Sequence, residues 1–417
     1  MSNNESSFLN SCGSSKLQQD TVSREGWKAL WGSAFGYAMD GFDLLILGFV
    51  LRFVAHDMGL THSEAAFVVT VTLIGAVIGG FVFGMLADRF GRVRVLTWSI
   101  MVFAVFTGLC ALAENYTTLL IFRGLAGTGL GGEYGIGMTL VAEAWPASKR
   151  ARASSYVGLG WQAGVLLAVV LTPMLLPSIG WRGMFVVGVV PALVAFAIRN
   201  FVHEPALFVA KAKTVTLGQS VRGLVKDVAT IKTSLGLIIL CSVQNFGYYG
   251  VMIWLPNYLA STFHFSLTKS AIWTGVTILG MAIGIFVFGQ LADRFGRRPI
   301  FFLYMLGAAI MVVVYSMLST PLTLLIGGAV MGFFVNGMIG GYGTLTSELY
   351  PTESRSTAQN LFFNIGRGVG GLGPLVIAAI AGQYSFHMAI ALLVIIYVID
   401  IIALWLLIPE RRGSSLV

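Results

Sequence analysis

Twelve apolar runs, each long enough to cross a lipid bilayer, dominate this sequence. They fall near 28–54, 65–87, 95–113, 117–140, 153–176, 181–201, 233–260, 268–292, 299–318, 321–346, 356–382 and 386–408. A spanning helix needs about 20 predominantly apolar residues. Only 11% of the residues are charged, against about 25% in a soluble domain. A soluble core could not hide that much apolar surface, so lipid is the solvent this chain requires. The expected fold class is an all-α membrane protein.

An even number of spans puts both termini on one side, and loop charge selects the side. Lys and Arg gather after the second, fourth, sixth, eighth and tenth runs: Arg89, Arg92 and Arg94; Lys149, Arg150 and Arg152; the stretch from Lys211 to Lys232; Arg294, Arg297 and Arg298; and Arg355. Arg411 and Arg412 follow the twelfth, whereas the opposite loops hold little beyond Arg52, Arg182 and Lys269. The positive-inside rule then places both termini in the cytoplasm. Residues 1–26 are polar and lack the apolar centre of a cleaved signal peptide. They read as a disordered cytoplasmic tail ahead of an uncleaved first span.

The chain repeats itself. GMLADRFGRVRVL begins at Gly84 and GQLADRFGRRPIF at Gly289, a shift of 205. EAWPASKRARAS from Glu143 and ELYPTESRSTAQ from Glu348 stand in the same register. Two separated motifs sharing one offset indicate a duplicated unit of six spans. The expected organisation is a tail over 1–26, a six-helix bundle over 27–202, a basic linker over 203–232 that is partly a helix at the membrane surface, a second bundle over 233–409, and a tail over 410–417. Parallel repeats of this kind belong to secondary transporters, with the site at the midplane between the halves.

Other functions find little support. The net charge of +8 resides in the short loops that set membrane orientation, so no nucleic-acid partner is implied. Cys12, Cys110 and Cys241 lack pairing or ligand spacing, and none of the five histidines has zinc spacing, so no metal or redox cofactor is expected. No phosphate-binding G-x-x-x-x-G-K-[ST] occurs, so ATP is not expected to drive the chain directly, and no enzyme chemistry is expected of it.

Charges inside the apolar runs are the candidate functional residues, because such charges are expensive and functional by default. Asp40 lies twelve residues after Lys28, about 18 Å into a core of roughly 30 Å. Asp43 is one turn on, and both share a helix face with Tyr37 and Leu47. A carboxylate in that medium can exchange a proton near neutral pH; the alternative is a helix-tying hydrogen bond. Arg367 lies equally deep beyond Arg355, on a stripe with Asn360, Asn364 and Gly371. Its guanidinium fork suits a carboxylate substrate; the alternative is a standing salt bridge to Asp40 or Asp43. The repeat register equates Arg367 with Gln162, and Asp40 and Asp43 with Asn245 and Tyr248. Trp161 and Tyr249, beside these, could stack on an apolar substrate body or simply pack. Arg123 and Glu133 in the fourth run are either a structural pair or a device that alters a carboxylate's proton affinity. Asp400, alone in the last run, reads as a satisfied interior hydrogen bond.

Gly84-Met-Leu-Ala-Asp-Arg-Phe-Gly-Arg-Val-Arg94 resembles the signature between spans two and three of the major facilitator superfamily. Arg123-Gly-Leu-Ala-Gly-Thr-Gly129 resembles its span-four motif. Asp40-Gly-Phe-Asp43, Gly132-Glu-Tyr-Gly135 and Glu143-Ala-Trp-Pro146 look like its organic-anion:proton symporters, the aromatic-acid, sialate and monocarboxylate groups. The resemblance covers essentially the whole chain after residue 26. It implies two pseudo-symmetric six-helix bundles and a cavity lined by spans one, five, seven and eleven. It implies proton-coupled uptake, by a functional monomer in a bacterial inner membrane, of an aromatic acid, a lactate-like monocarboxylate or sialic acid. It also implies proton coupling through Arg123 and a latch on the outward-facing state. The latch residues would be Gly84, Asp88, Arg89, Gly91 and Arg92, with Asp293, Arg294, Gly296 and Arg297. Each aspartate would cap the next helix or pair with a basic residue near span eleven. A proton-coupled efflux antiporter is the alternative, although the span-five motif of such antiporters is absent from GLGWQAGVLLAVVL at Gly158.

Overall fold

Lipid offers the backbone no hydrogen-bond partner, so a spanning segment must bond internally, as a helix does. A computed structural model of the protein describes residues 21–190, 193, 198, 200–211, 216–263, 267–412 and 416, and the regular structure among them is helical. The first half comprises α1 (Arg24–Met58), α2 (His62–Phe90), α3 (Arg92–Leu109), α4 (Tyr116–Ala144) and α5 (Arg150–Val187). Two short helices follow, α6 (Ala206–Lys211) and α7 (Leu217–Arg222). The second half comprises α8 (Val228–Phe263), α9 (Leu267–Phe295), α10 (Arg297–Ser316), α11 (Pro321–Gly337), α12 (Ile339–Leu349), α13 (Arg355–Gly370), α14 (Gly373–Gln383), α15 (Phe386–Ala391) and α16 (Leu393–Leu407).

Among the described residues, nine helical segments are long and apolar enough to cross a membrane. α1 and α4 match them in length, at 35 and 29 residues. The runs expected at 153–176 and 181–201 join in α5, which bends at Gly180, where φ is 65°; most of 191–199 lies outside the described residues. The last three runs each divide in two, at Met338, at Gly371 and Leu372, and at Leu392. With the span begun at Gly180, the twelve-span architecture is complete.

The tail expected over 1–26 lies outside the described residues up to position 20, and the chain is already helical at Arg24, capped by Ser23. Within the linker stretch, α6 and α7 are short helices, α7 ends before Gly223, and α8 begins at Val228. α7 packs on α2 and α13, and the Ser220 hydroxyl donates to the Glu353 carbonyl at 2.9 Å.

Helix pairing repeats between the halves. α1 packs on α5 and α2 on α4; correspondingly α8 packs on α13 and α9 on α11. The halves meet where α2 lies on α13, and where α5 lies on α9 and α12. The hairpins α2–α3 and α9–α10 turn at Gly91 and Gly296, with φ of 113° and 107°, a conformation that glycine adopts without steric cost. Side chains such as Ile74, Ile78, Val170, Met174 and Leu406 remain exposed on the outer surface, which lipid tails cover.

Candidate functional site

Five ionisable side chains are buried where the halves meet. Asp40 and Asp43 project from α1, Arg123 and Glu133 from α4, and Arg367 from α13, each at most 2% exposed. Arg123 grips Asp43 with both terminal nitrogens, at 3.0 and 3.3 Å, and its Nε donates to Thr72 Oγ1 at 3.3 Å. The Arg123–Glu133 pair is thereby corrected. On one helix, ten residues separate the two by about 15 Å, and the true partner stands on a neighbouring helix.

Arg367 donates from Nη2 to Asp40 Oδ2 at 2.8 Å. This bond joins the two halves through buried charges. Its other nitrogens, Nε and Nη1, have no hydrogen-bond partner among the described residues, and neither does Asp40 Oδ1. The guanidinium carbon lies 5.3 Å from the ring centres of both Trp161 and Phe363, within cation–π range. Glu133 has no hydrogen-bond partner for either oxygen among the described residues. It occupies space opened by Gly36, where a Cβ would come within 2.8 Å of Glu133 Oε1. Gly36 is one turn before Asp40 on α1, so the unpaired acid stands beside the inter-half salt bridge.

A cavity at the same level brings together Tyr37, Trp161, Asn245, Tyr248, Tyr249 and Arg367, six of the residues the sequence singled out. Its volume is about 10 Å³, room for a single water. In this conformation a substrate can enter only after the halves part. Trp161 Nε1 donates to the Tyr248 hydroxyl at 3.0 Å, another bond between halves. Gln244 and Asn336 also line the cavity, with the Gln244 amide donating to Asn336 Oδ1 at 2.7 Å. They went unnoticed in the sequence, although the rule that picked Asn245, a polar residue within an apolar run, applies equally to both.

Three expected lining residues sit elsewhere. Asn360 accepts from the Gly135 amide at 2.8 Å, and Asn364 donates to the Gly131 carbonyl at 2.8 Å. Their stripe is a polar seam between α13 and the backbone of α4. Gln162 is buried against Met281, its amide 3.8 Å from the sulfur. Asp400 also departs from expectation. It is 0% exposed, and neither carboxyl oxygen has a hydrogen-bond partner among the described residues.

The duplicated loops meet their partners across the halves. Asp88 accepts from the Ser356 and Thr357 amides at 3.0 Å each and from the Thr357 hydroxyl at 2.7 Å. It therefore caps the N-terminus of α13 rather than that of the next helix. Asp293 accepts from the Ala151 and Arg152 amides at 3.0 and 3.1 Å, capping α5 in the same way. Gly84 lets α13 approach, since a Cβ there would meet Thr357 Cα at 2.8 Å.

Behind each aspartate lies a carboxylate from the second repeated motif, to which the sequence assigned no role of its own. Glu143 binds Arg92 from its own half at 3.1 Å and Arg355 from the other at 2.5 Å. Glu348 binds Arg297 from its own half at 2.7 Å and faces Arg150 from the other at 3.9 Å. Each cluster holds two acids and two buried arginines, and in the second the half-exposed Arg152 also approaches Asp293, at 3.5 Å. Arg89 and Arg294 lie outside these clusters, stacked on Phe90 and Phe295. At the opposite ends of the helices, among the described residues, Asp57 of α1 pairs with Arg182 of α5 at 2.8 Å within the first half.

Comparison with known proteins places this arrangement among relatives. The sequence model described as Major Facilitator Superfamily matches residues 33–278 and 237–416. A metabolite transport protein of Haemophilus influenzae, itself assigned by inference, is 60% identical over 402 residues, covering 95% of this chain and 99% of that one. The cis,cis-muconate transport protein of Acinetobacter baylyi is 30% identical, covering 95% and 98%. Among solved structures, the proton:xylose symporter XylE bound to 6-bromo-6-deoxy-D-glucose superposes with a TM-score of 0.79 over 95% of this chain and 98% of that one, at 18% identity.

Proposed function

Because this chain belongs to the Major Facilitator Superfamily and is a multi-pass membrane transporter, we propose that it is a proton-coupled symporter of a small organic anion. The observation that carries this reading is the Asp40–Arg367 bridge between halves, with two guanidinium nitrogens left open beside the central cavity. A carboxylate fits those open donors. The relative that transports cis,cis-muconate, an organic anion, supports the same class.

Charge accounting links the anion to the proton. Asp43 and Arg123 cancel, as do Asp40 and Arg367. An incoming carboxylate that takes Arg367 from Asp40 adds one negative charge to a buried site. One proton, taken by Asp40 as it loses its cation, directly or relayed by a protonated Glu133 beside it, restores balance and avoids the cost of an uncompensated charge. Anion and proton are then favoured together. With both bound, the bridge between halves is released and they can rock about the site. With the basic loops read as cytoplasmic by their charge, the clustered face is the cytoplasmic one and the present conformation is closed toward that side. An efflux antiporter would want acids without a cationic anchor, and Arg367 stands in the cavity.

Purified protein in liposomes with an internal pH dye tests the reading. An imposed inward proton gradient should drive accumulation of some member of a carboxylate panel, with acidification of the lumen on substrate addition. Asp40→Asn and Glu133→Gln should lose gradient-driven accumulation at one position at least while retaining exchange of labelled for unlabelled substrate. Lumen alkalinisation on carboxylate uptake, or full accumulation by both variants, would overturn it.

A further inference from the structure

We propose that Asp400 is a second exchangeable proton site, reached from the central cavity by a polar branch through Gln244, Asn336 and Tyr397. The inference rests on the proton-coupled reading above and adds a group that reading does not use.

Asp400 lies on α16, which packs on α8 and α10. The titratable groups facing it are Cys241 from α8, Tyr342 from α12 and Tyr397 one turn earlier on α16, none of them a cation. Tyr342 already donates to the Leu240 carbonyl at 3.1 Å. The Tyr397 hydroxyl has no partner among the described residues. It occupies the notch left by Gly247 on α8, where a Cβ would collide with it. One turn back on α8 is Gln244, bonded to Asn336 at the cavity wall. That bond leaves Gln244 Oε1 and Asn336 Nδ2 open. Turning both amides over still leaves one acceptor and one donor unused.

Open polar atoms thus run from the cavity wall to Asp400. Buried polar atoms are normally satisfied, by protein or by ordered water, and an ionisable side chain within a membrane bundle is functional by default. A purely structural acid would have been given donors, as the helix-capping Asp88 and Asp293 have been. In the closed state Asp400 holds its proton. When the halves part, water reaches it along the branch, and the proton leaves to that water and is later replaced from the other side. With one proton in the first half and one here, a monovalent carboxylate would enter with about two protons and carry net positive charge inward.

Reversal potentials in proteoliposomes measure the proton-to-anion ratio directly. Wild type should give about two, and Asp400→Asn, which is isosteric with the neutral acid, about one, with electroneutral uptake and unchanged counterflow. Tyr397→Phe keeps the acid but removes the hydroxyl beside it, and should slow gradient-driven uptake severalfold relative to counterflow. An Asp400→Asn ratio equal to that of wild type overturns the inference, and if that variant cannot be recovered folded, wild-type uptake by Tyr397→Phe does so. A wild-type ratio of zero would instead overturn proton coupling itself.

Discussion

Replacing Arg367 by lysine keeps the charge in the cavity and removes the fork. In the closed state the guanidinium uses Nη2 on Asp40 at 2.8 Å and leaves Nε and Nη1 open. A carboxylate can engage two parallel N–H donors of a guanidinium, whereas an ammonium acts as a point charge. One charge-assisted hydrogen bond contributes about 1.5–3 kcal/mol, and about 1.4 kcal/mol is tenfold in affinity. Arg367→Lys should therefore bind a carboxylate at least about tenfold more weakly. The stack between Trp161 and Phe363 works in the same direction, since lysine presents no planar face to either ring. Arg367→Ala should bind more weakly still, because it also strands Asp40 without its cation. Titration calorimetry on purified protein checks this, with a methyl ester of the ligand as control. The ester should bind wild type poorly and separate the variants little. Equal carboxylate affinity in wild type and Arg367→Lys would show that Arg367 holds Asp40 and does not read the substrate.

Three further outcomes follow from the geometry. Asp88→Asn turns an acceptor of three hydrogen bonds partly into a donor facing donors, at about 1–3 kcal/mol for a buried group left unsatisfied; distances between spin labels on the exposed Arg89 and Arg294 should lengthen more than for Asp293→Asn, which loses two, and unchanged distances would remove the latch. Gly36→Ala would push a methyl to 2.8 Å from Glu133 Oε1, an overpacking worth about 1–3 kcal/mol; it should lower thermal stability and slow gradient-driven uptake more than counterflow, and equal slowing would mean Glu133 plays no part in coupling. A reporter active only outside the cytoplasm, fused to Val417, should stay silent, and activity there would reverse the topology read from the loops.

What could be read from the sequence was whatever repeats or has a period. Apolar runs of fixed length gave the spans, and the shared register of the two motif pairs gave the halves. Depth counted along a helix put Asp40 and Arg367 at one level, and the structure joins them. Partnership was harder to read, because a helix face fixes a direction but not the neighbour across it. Asp43 thus proved to be Arg123's partner, and the Asn360–Asn364 stripe a seam on the α4 backbone. Asp400 shows the same limit from the other side, since nothing in an apolar run reveals that an acid lacks a donor. Glu143 and Glu348 were visible as repeated letters, and their chemistry emerged only when Arg355 and Arg150 arrived from the opposite half.

The two loop aspartates carry a consequence beyond gating. Asp88 holds residues 356 and 357, and Asp293 holds residues 151 and 152; a shift of 205 turns one set of contacts into the other. An interface in which i meets j and j meets i is isologous, the kind two identical subunits form about a two-fold axis. Two identical subunits, however, would have to present the same side chain on both walls of the central cavity. Here the position equivalent to Arg367 is Gln162, and those equivalent to Asp40 and Asp43 are Asn245 and Tyr248. Covalent fusion of the halves is what allows one wall to be cationic and the other acidic. The symmetric rim preserves the dimer-like hinge while the asymmetric centre holds a single Asp40–Arg367 bridge that no homodimer of such halves could build.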